Sequence, residues 1–383
     1  MGTVAFKNKS LLNPAELPGL YVHVPFCRRK CAYCSFYSVT DLSLIPACLK
    51  AILQEARLYE GQFGVFDTLY LGGGTPSVLT ADQLQYLLAG LKRQLPLVPE
   101  AEITLEANPD DVSPERLACW QELGINRLSL GVQSFADQEL TFLGRRHRAR
   151  QAWQALEMSR TAFANLNVDL IYALPGQTIK TWWAHLKQAL TFEPDHLSCY
   201  QLTLEEDTPL GKLKAARRFH SLSENQQRRF FLATSRFLRD QGYLHYEVSN
   251  FARGTTRQAR HNRKYWRRTP YLGLGPAAHS FLGRRRWWNH PSVTLYCQSL
   301  SRGQPPVAGR ETLSDSQIRL ETLFLGFRTQ EGVKLKLLQE HPSGDSLLSR
   351  LQKAKLLRVA DSQVVPTPQG MLMADGLALL FGE

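Results

Sequence analysis

YVHVPFCRRKCAYCSFYS, residues 21–38, holds three of the chain's seven cysteines within eight positions. Its first residues are β-branched and aromatic, the composition of a strand, and the run reads as strand from Leu20 to Phe26. Cys27, Cys31 and Cys34 follow at once, in C-x3-C-x2-C spacing. The thiols therefore open the loop that leaves the C-terminal end of the strand. In a parallel α/β barrel that end is the rim where sites gather. The fold follows from whether the rest of the chain repeats this unit.

It does so five more times. Apolar, β-rich runs bounded by Gly or Pro lie at Thr68 to Leu71, Glu102 to Ala107, Asn126 to Val132, Leu166 to Tyr172 and His196 to Leu204. Amphipathic stretches with helix signals separate them. TADQLQYLLAGLKRQL offers Thr80 as an N-cap, and SPERLACWQELG sets Ser113 at the cap, Pro114 in the first turn and Gly124 at the stop. Strands alternating with such helices read as βα units on a parallel sheet. Six units are too few to close an eight-stranded barrel, so the expected fold is α/β, a partial (βα)6 barrel over residues 20–204. Beyond it, SENQQRRFFLATSRFLRDQG reads as one long helix, YLHYEVSNFA as a strand, and residues 252–310 as irregular chain rich in Arg, Trp and Gly. The tail after about Ser314 reads helix, helix, hairpin, helix, as in a small winged-helix-like α+β domain. The expected division is a short segment 1–19, the barrel 20–204, an extension 205–310 and a C-terminal domain 311–383.

At 383 residues with 43% hydrophobic content, the chain can bury a large core. No stretch of about eighteen apolar residues is present, and the N-terminus lacks the apolar core of a secretion signal. A cytoplasmic protein is expected, and there clustered thiols serve metal binding or catalysis rather than disulfides. The net charge of +12 is spread in short runs such as GRRHRAR and GRRRWWN, which by itself does not choose between nucleic acid, anionic lipid and a small polyanion.

Iron–sulfur clusters are held by Cys thiolates, and a cubane ordinarily takes four. Three thiols on one loop leave one iron without a protein ligand, an open position where a cosubstrate can bind. The alternative is a structural zinc site completed by His23 or another residue.

The C-x3-C-x2-C loop with Tyr33 before its last Cys resembles the cluster motif of the radical S-adenosylmethionine (SAM) superfamily. There SAM's amino and carboxylate groups chelate the unique iron, so the resemblance names SAM as the fourth ligand. YLGGGTPSVL is similar to that superfamily's SAM-amino-group loop. ITLEANPDDV, GINRLSLGVQSF, FLGRRH, NVDLIYALPGQT and YEVSNFA then follow in the order found in oxygen-independent coproporphyrinogen III oxidases and their relatives. The resemblance covers roughly residues 20–280 and implies a SAM site of Tyr21, Gly73, Gly74, Thr75, Glu106, Gln133, Arg145 and Asp169. Two departures point to the HemW branch of the family, understood as heme chaperones. Phe36 stands where the oxidases carry an additional Cys, and the strand begins at about Leu20 without their long N-terminal arm. Ser35 differs from the Asp common in that branch.

A heme-binding role implies aromatic surface beside cations, which RQARHNRKYWRR and GRRRWWNH supply. His261, in an HNxxYW pattern, is the candidate axial ligand, against a hydrogen-bonded structural His; His279 is a second candidate. The implied cofactors are a [4Fe-4S] cluster, SAM and heme. The implied partners are heme or porphyrin, acceptor hemoproteins and an electron donor. Nucleic acid is not expected, and peripheral association with a membrane is left open. The competing activities are coproporphyrinogen III oxidation and radical SAM methyl transfer.

Overall fold

Residues 16–382 are described by the computed structural model, so residues 1–15 of the expected N-terminal segment lie outside the described residues. Six strands, β1 (Gly19–Val24), β2 (Phe66–Gly73), β3 (Leu97–Ala107), β4 (Arg127–Gln133), β5 (Leu166–Tyr172) and β6 (His196–Gln201), are hydrogen-bonded in that order and run parallel. Helices connect them where the sequence signals predict. Thr80 accepts from the backbone of Gln83 in a reciprocal capping box, and Ser113 accepts from that of Arg116 ahead of Pro114. Gly124, at φ +87°, ends the second of these helices in the left-handed region that favours glycine.

Alternation along the strands divides the barrel into two surfaces. Leu20, Val22, Leu69, Leu71, Leu105, Leu128, Leu130, Val168 and Leu197 point outward and are fully buried under the helices. Each such side chain contributes roughly 1.5–3 kcal/mol by leaving water. The intervening residues point inward and are polar: Tyr21, Tyr70, Thr104 and Arg127 follow one another across the register of β1 to β4. The apolar outer face holds the fold, and the inner face is free for chemistry.

Both edges are extended. YLHYEVSNFA forms a short antiparallel hairpin, β7 (Leu244–His245) and β8 (Asn250–Ala252), with β8 on β6, rather than the single strand expected. The buried Glu247 carboxylate makes the bend by accepting from the Ser249 N–H at 3.2 Å. Residues 252–310, expected to be irregular, are largely regular. They contain a helix at Arg260–Trp266, β9 (Tyr271–Leu274) parallel to β1, then antiparallel β10 (His279–Leu282), β11 (Arg285–Asn289) and β12 (Val307–Thr312), with a helix at Val293–Ser301. These strands have only four to six residues, and β11 and β12 carry Arg285, Arg286 and Arg310, so the local pattern is weak. Pairing outward from β1 makes them strands, a tertiary override of weak local preference.

The C-terminal region carries its own three-stranded sheet, β13 (Val333–Lys334), β14 (Leu357–Ala360) and β15 (Gln363–Pro366), in the order β13-β15-β14. Helices at Asp315–Gly326, Gly344–Lys353 and Ala374–Gly382 accompany it, and Leu323, Phe327, Leu338, Val364 and Phe381 form an apolar cluster separate from the main core. This is the small winged-helix-like α+β unit that the element order predicts.

Candidate functional site

The thiol loop leaves β1 and is fastened at several points. Cys27 N–H donates to Val39 O at 3.0 Å and Val39 N–H to Pro25 O at 2.7 Å, which closes the loop on itself. Ala32 N–H reaches Leu143 O at 3.1 Å, Leu210 N–H reaches Ala32 O at 2.9 Å, and Arg29 donates to Gly144 O and Arg145 O at 2.8 Å each. Cys27 is buried; Cys31 and Cys34 are half-buried. Burial pushes the Cys27 and Cys34 thiols up, opposed at Cys27 by the Thr75 hydroxyl, whose Oγ1 lies 3.3 Å from Sγ. The guanidinium of Arg145 donates to Cys31 Sγ at 3.4 Å.

The glycine turn after β2 packs directly on this loop. Gly74 N–H donates to Val24 O at 3.0 Å and Thr75 N–H to Phe26 O at 2.8 Å. A Cβ on Gly74 would stand 2.7 Å from Phe26 N and 2.8 Å from Phe26 O, a distance that allows only glycine. Glu106, at the end of β3, accepts from Tyr70 OH at 2.7 Å and from Gly73 N–H at 3.2 Å. Burial lifts its carboxyl to about 7 despite those two donors. Burial likewise raises Asp169, which accepts from Asn167 Nδ2 at 2.8 Å and from Ser129 OH at 3.2 Å. Gln133 ends β4 with φ 67°, a left-handed conformation that costs a non-glycine residue on the order of 1–3 kcal/mol. Arg145 donates to Gly131 O at 2.7 Å and to the Asn108 side chain, while its buried Nε has no partner.

One cavity of about 460 Å³ is lined by Cys27, Cys31, Cys34 and by Tyr21, Gly73, Gly74, Thr75, Glu106, Gln133, Arg145 and Asp169. The sequence motifs that supply these residues span more than 140 positions, and the fold brings them to one rim. The cavity also takes in Asn108, Ser129 and Tyr200, which the motifs did not single out. Ser129 and Tyr200 stand on the inward face at period two from Arg127 and from Ser198, a signal readable in the strand pattern. Phe36 lines the same cavity and is 68% exposed. Cys48, Cys119, Cys199 and Cys297 stand elsewhere.

The donor set fits the groups that the motifs imply. Three thiols border a space that also holds carboxylates for an ammonium and hydroxyls, and an arginine with an unpartnered Nε for a carboxylate. Among the described residues, no three His, Cys, Asp or Glu side chains are grouped as a single metal ion would need. His23 has both ring nitrogens engaged, Nδ1 with Tyr21 OH at 3.0 Å and Nε2 with Tyr37 O at 2.9 Å, and so offers no ready fourth ligand for zinc.

His261 does not share this cavity. Its Nδ1 is 2.8 Å from Thr68 Oγ1, its Nε2 is 2.8 Å from Tyr265 OH, and the residue is 1% exposed. Thr68 stands near the start of β2, so the ring fills the end of the barrel opposite the thiols. Burial, aided by Lys264 and Arg127, lowers its imidazole to about 3 and keeps it neutral. As an axial ligand it would have to give up the contact on the ligating nitrogen and become accessible to heme from an interior where it is buried. His279 is exposed and stacks on Trp288 with ring centroids 5.8 Å apart.

The description "Radical SAM superfamily" belongs to the family model that matches residues 21–189. A protein of Synechocystis called heme chaperone HemW is 35% identical over 353 residues, covering 89% of this chain and 84% of that protein. One of Bacillus subtilis with the same name is 34% identical over 367 residues, covering 93% and 96%. The solved structure of coproporphyrinogen III oxidase (HemN) from Escherichia coli superposes with a TM-score of 0.80 at 24% identity, covering 96% of this chain and 91% of that one. The fold and the three-thiol loop are thus those of the radical SAM proteins. Within that superfamily the chain belongs to the HemW family of heme chaperones.

Proposed function

We propose that the chain holds one [4Fe-4S] cluster on Cys27, Cys31 and Cys34, binds SAM in the adjoining cavity, and binds heme for transfer to acceptor hemoproteins. The observation that carries this reading is the single cavity shared by the three thiols and the eight SAM-site candidates. A cluster held by these thiols would, when reduced, be able to supply an electron to SAM's sulfonium. Glu106 accepts from the ligand's ammonium, Asp169 from its ribose hydroxyls, and Arg145 pairs with its carboxylate. Thiols raised by burial must lose protons to become ligands, so cluster loading releases protons and is favoured by higher pH.

The relatives named as heme chaperones support the choice of heme over an oxidised porphyrinogen. Phe36 supports it as well, since an apolar, solvent-facing ring offers no thiol beside the cluster. The heme surface we propose lies within residues 257–268 and 283–290, where Trp266, Trp287 and Trp288 stand among arginines. The working division remains 20–204, 205–310 and 311–383, with an external electron donor, a cytoplasmic location and peripheral membrane contact as further parts of the reading. No helix among the described residues is long and apolar enough to cross a membrane.

Anaerobic reconstitution followed by heme titration and a coproporphyrinogen III turnover assay on one sample tests the proposal. Stoichiometric heme binding, passage of that heme to an apo-hemoprotein and no protoporphyrinogen IX are expected. Sustained conversion of coproporphyrinogen III would replace the chaperone reading with the oxidase, and failure to bind heme would leave the methyltransferase.

A further inference from the structure

Asn108 lines the cavity, yet the site assignment that the motifs imply leaves it without a task. It is the first residue after β3, and Pro109 follows it. A proline keeps the residue before it out of the helical region. Asn108 is accordingly extended, at φ −94° and ψ 148°. Its N–H donates to Ser77 Oγ at 3.3 Å, and its C=O accepts from Asp111 N–H at 3.0 Å. The backbone is fastened on both sides, which fixes where the side chain can reach.

The side-chain amide joins two groups that touch the thiols. Its Nδ2 donates to Thr75 Oγ1 at 3.3 Å, and that oxygen lies 3.3 Å from Cys27 Sγ. Its Oδ1 accepts from Arg145 Nη2, and Arg145 Nη1 donates to Cys31 Sγ at 3.4 Å. A continuous path therefore runs from Cys27 through Thr75, Asn108 and Arg145 to Cys31. The polarity of the amide matters at both ends. A threonine hydroxyl has a single proton, so an oxygen that accepts from Asn108 keeps that proton for Cys27 Sγ. On the other side, Asn108 Oδ1 and Gly131 O, the latter at 2.7 Å, hold Nη2, which leaves Nη1 on Cys31 and Nε without a partner.

We propose that Asn108 is a positioning residue of the three-thiol loop, orienting Thr75 and Arg145 as hydrogen-bond donors to two of its sulfurs. The inference rests on reading that loop as the ligand set of an iron–sulfur cluster. Hydrogen bonds to the cysteine sulfurs are among the levers that set such a cluster's reduction potential. Donors aimed at thiolates favour the state with more negative charge, which is the reduced one. Asn108 thus raises the potential, and through the same contact it keeps Arg145 Nε free for a ligand carboxylate.

The test measures the midpoint potential of the anaerobically reconstituted protein by reductive titration followed by EPR, without SAM, and the SAM affinity of the oxidised protein by calorimetry. Asn108→Leu is close to the native residue in volume and offers neither donor nor acceptor. It should move the potential to more negative values and weaken SAM binding about two- to tenfold. Thr75→Val should lower the potential of the native protein, and that shift should shrink to less than about half in N108L, because the two residues act on Cys27 in series. A side chain that only fastened the end of β3 would lower the thermal midpoint and leave the potential in place. N108L with the native potential, or a T75V shift undiminished in N108L, would overturn the proposal.

If N108L folds poorly or takes up less iron, N108D keeps the volume and the acceptor for Arg145 and removes the donor to Thr75. The T75V shift is then read in that background, where it should again shrink; a shift as large as in the native protein overturns the role of Asn108. Native protein that holds no cluster removes the reading of the loop and this role with it. Native protein with a cluster whose potential N108L leaves in place removes this role alone.

Discussion

Glu102 and Glu106 lie four residues apart on one strand and point to the same side, yet they belong to two different regions of the barrel. At the far end, Glu102 is closed off by the N–H groups of Arg260 and His261 at 3.3 and 3.2 Å, where a carboxylate offsets the positive end of a helix. His261, Thr68 and Tyr265 complete a layer in which the histidine's two ring nitrogens both have partners. At the rim, Glu106 faces open cavity, Arg145 has a buried Nε without a partner, and three thiols converge with no disulfide between them. Each glutamate has two donors of its own, and what differs is that the chain closes over Glu102 while Glu106 borders the cavity. Position along the strand makes that distinction.

The sharpest way to break this contrast is to remove a rim thiol. Replacing Cys27, Cys31 or Cys34 by Ala should abolish the broad absorption near about 400 nm expected of thiolate-ligated iron after anaerobic reconstitution. An unchanged spectrum in any of the three, or stoichiometric zinc in the native protein, would show that the loop is not a cluster site.

A smaller effect is expected from the glutamates. Removing the Glu106 carboxylate should weaken SAM binding by on the order of 1.5–3 kcal/mol, about ten- to a hundredfold. Glu102→Gln should leave SAM affinity unaltered and lower the thermal midpoint instead. Equal losses of affinity from both variants would erase the distinction between rim and far end.

Much of this contrast was legible in the sequence, and for a physical reason. The parallel strands are buried on one face by helices, so their outward Leu and Val residues leave a strong period-two signal, and Thr80, Ser113 and Gly124 mark the helix ends through local capping chemistry. The thiols sit close together in sequence and the rim residues at strand ends. What stayed hidden depends on contacts distant in sequence. The strands β9 to β12 take their form from pairing with β1 and with one another; each is short, and the arginines of β11 and β12 read as loop. His261 reads equally as ligand or structural group until Thr68, 193 residues away, is placed against it. Arg127 lies within a motif, but only the closed barrel shows that so long a cationic side chain is fully buried.

His261 itself gives the third test. His261→Ala removes two buried hydrogen bonds and leaves Thr68 and Tyr265 without their partner, which should cost about 1–3 kcal/mol of stability while the cluster spectrum stays intact. The sign of the pH effect is set by its imidazole, held neutral down to about 3 in the folded protein against about 6.5 unfolded. The unfolded chain binds the extra proton between those values, so this residue's contribution to stability is present above about 6.5 and lost as pH falls toward 3. The Ala variant should lack that share of acid destabilisation. A heme spectrum altered by the substitution, with the thermal midpoint and its pH slope unchanged, would return His261 to the ligand role.

The smallest effect should come from a cysteine in the wrong place. Cys199 lies on β6, where alternation turns its side chain outward, away from the inward Ser198 and Tyr200, and it is 2% exposed within the main apolar core. Burial lifts its thiol far above the ordinary range, so it has no tendency to form the thiolate that iron requires. Cys199→Ala removes one small buried atom and should lower stability by about 1 kcal/mol, the scale of a minor cavity. Iron content, the visible spectrum and SAM affinity should all match the native protein. Loss of iron on this substitution, at a temperature where the variant remains folded, would mean that thiols are recruited by type rather than by position.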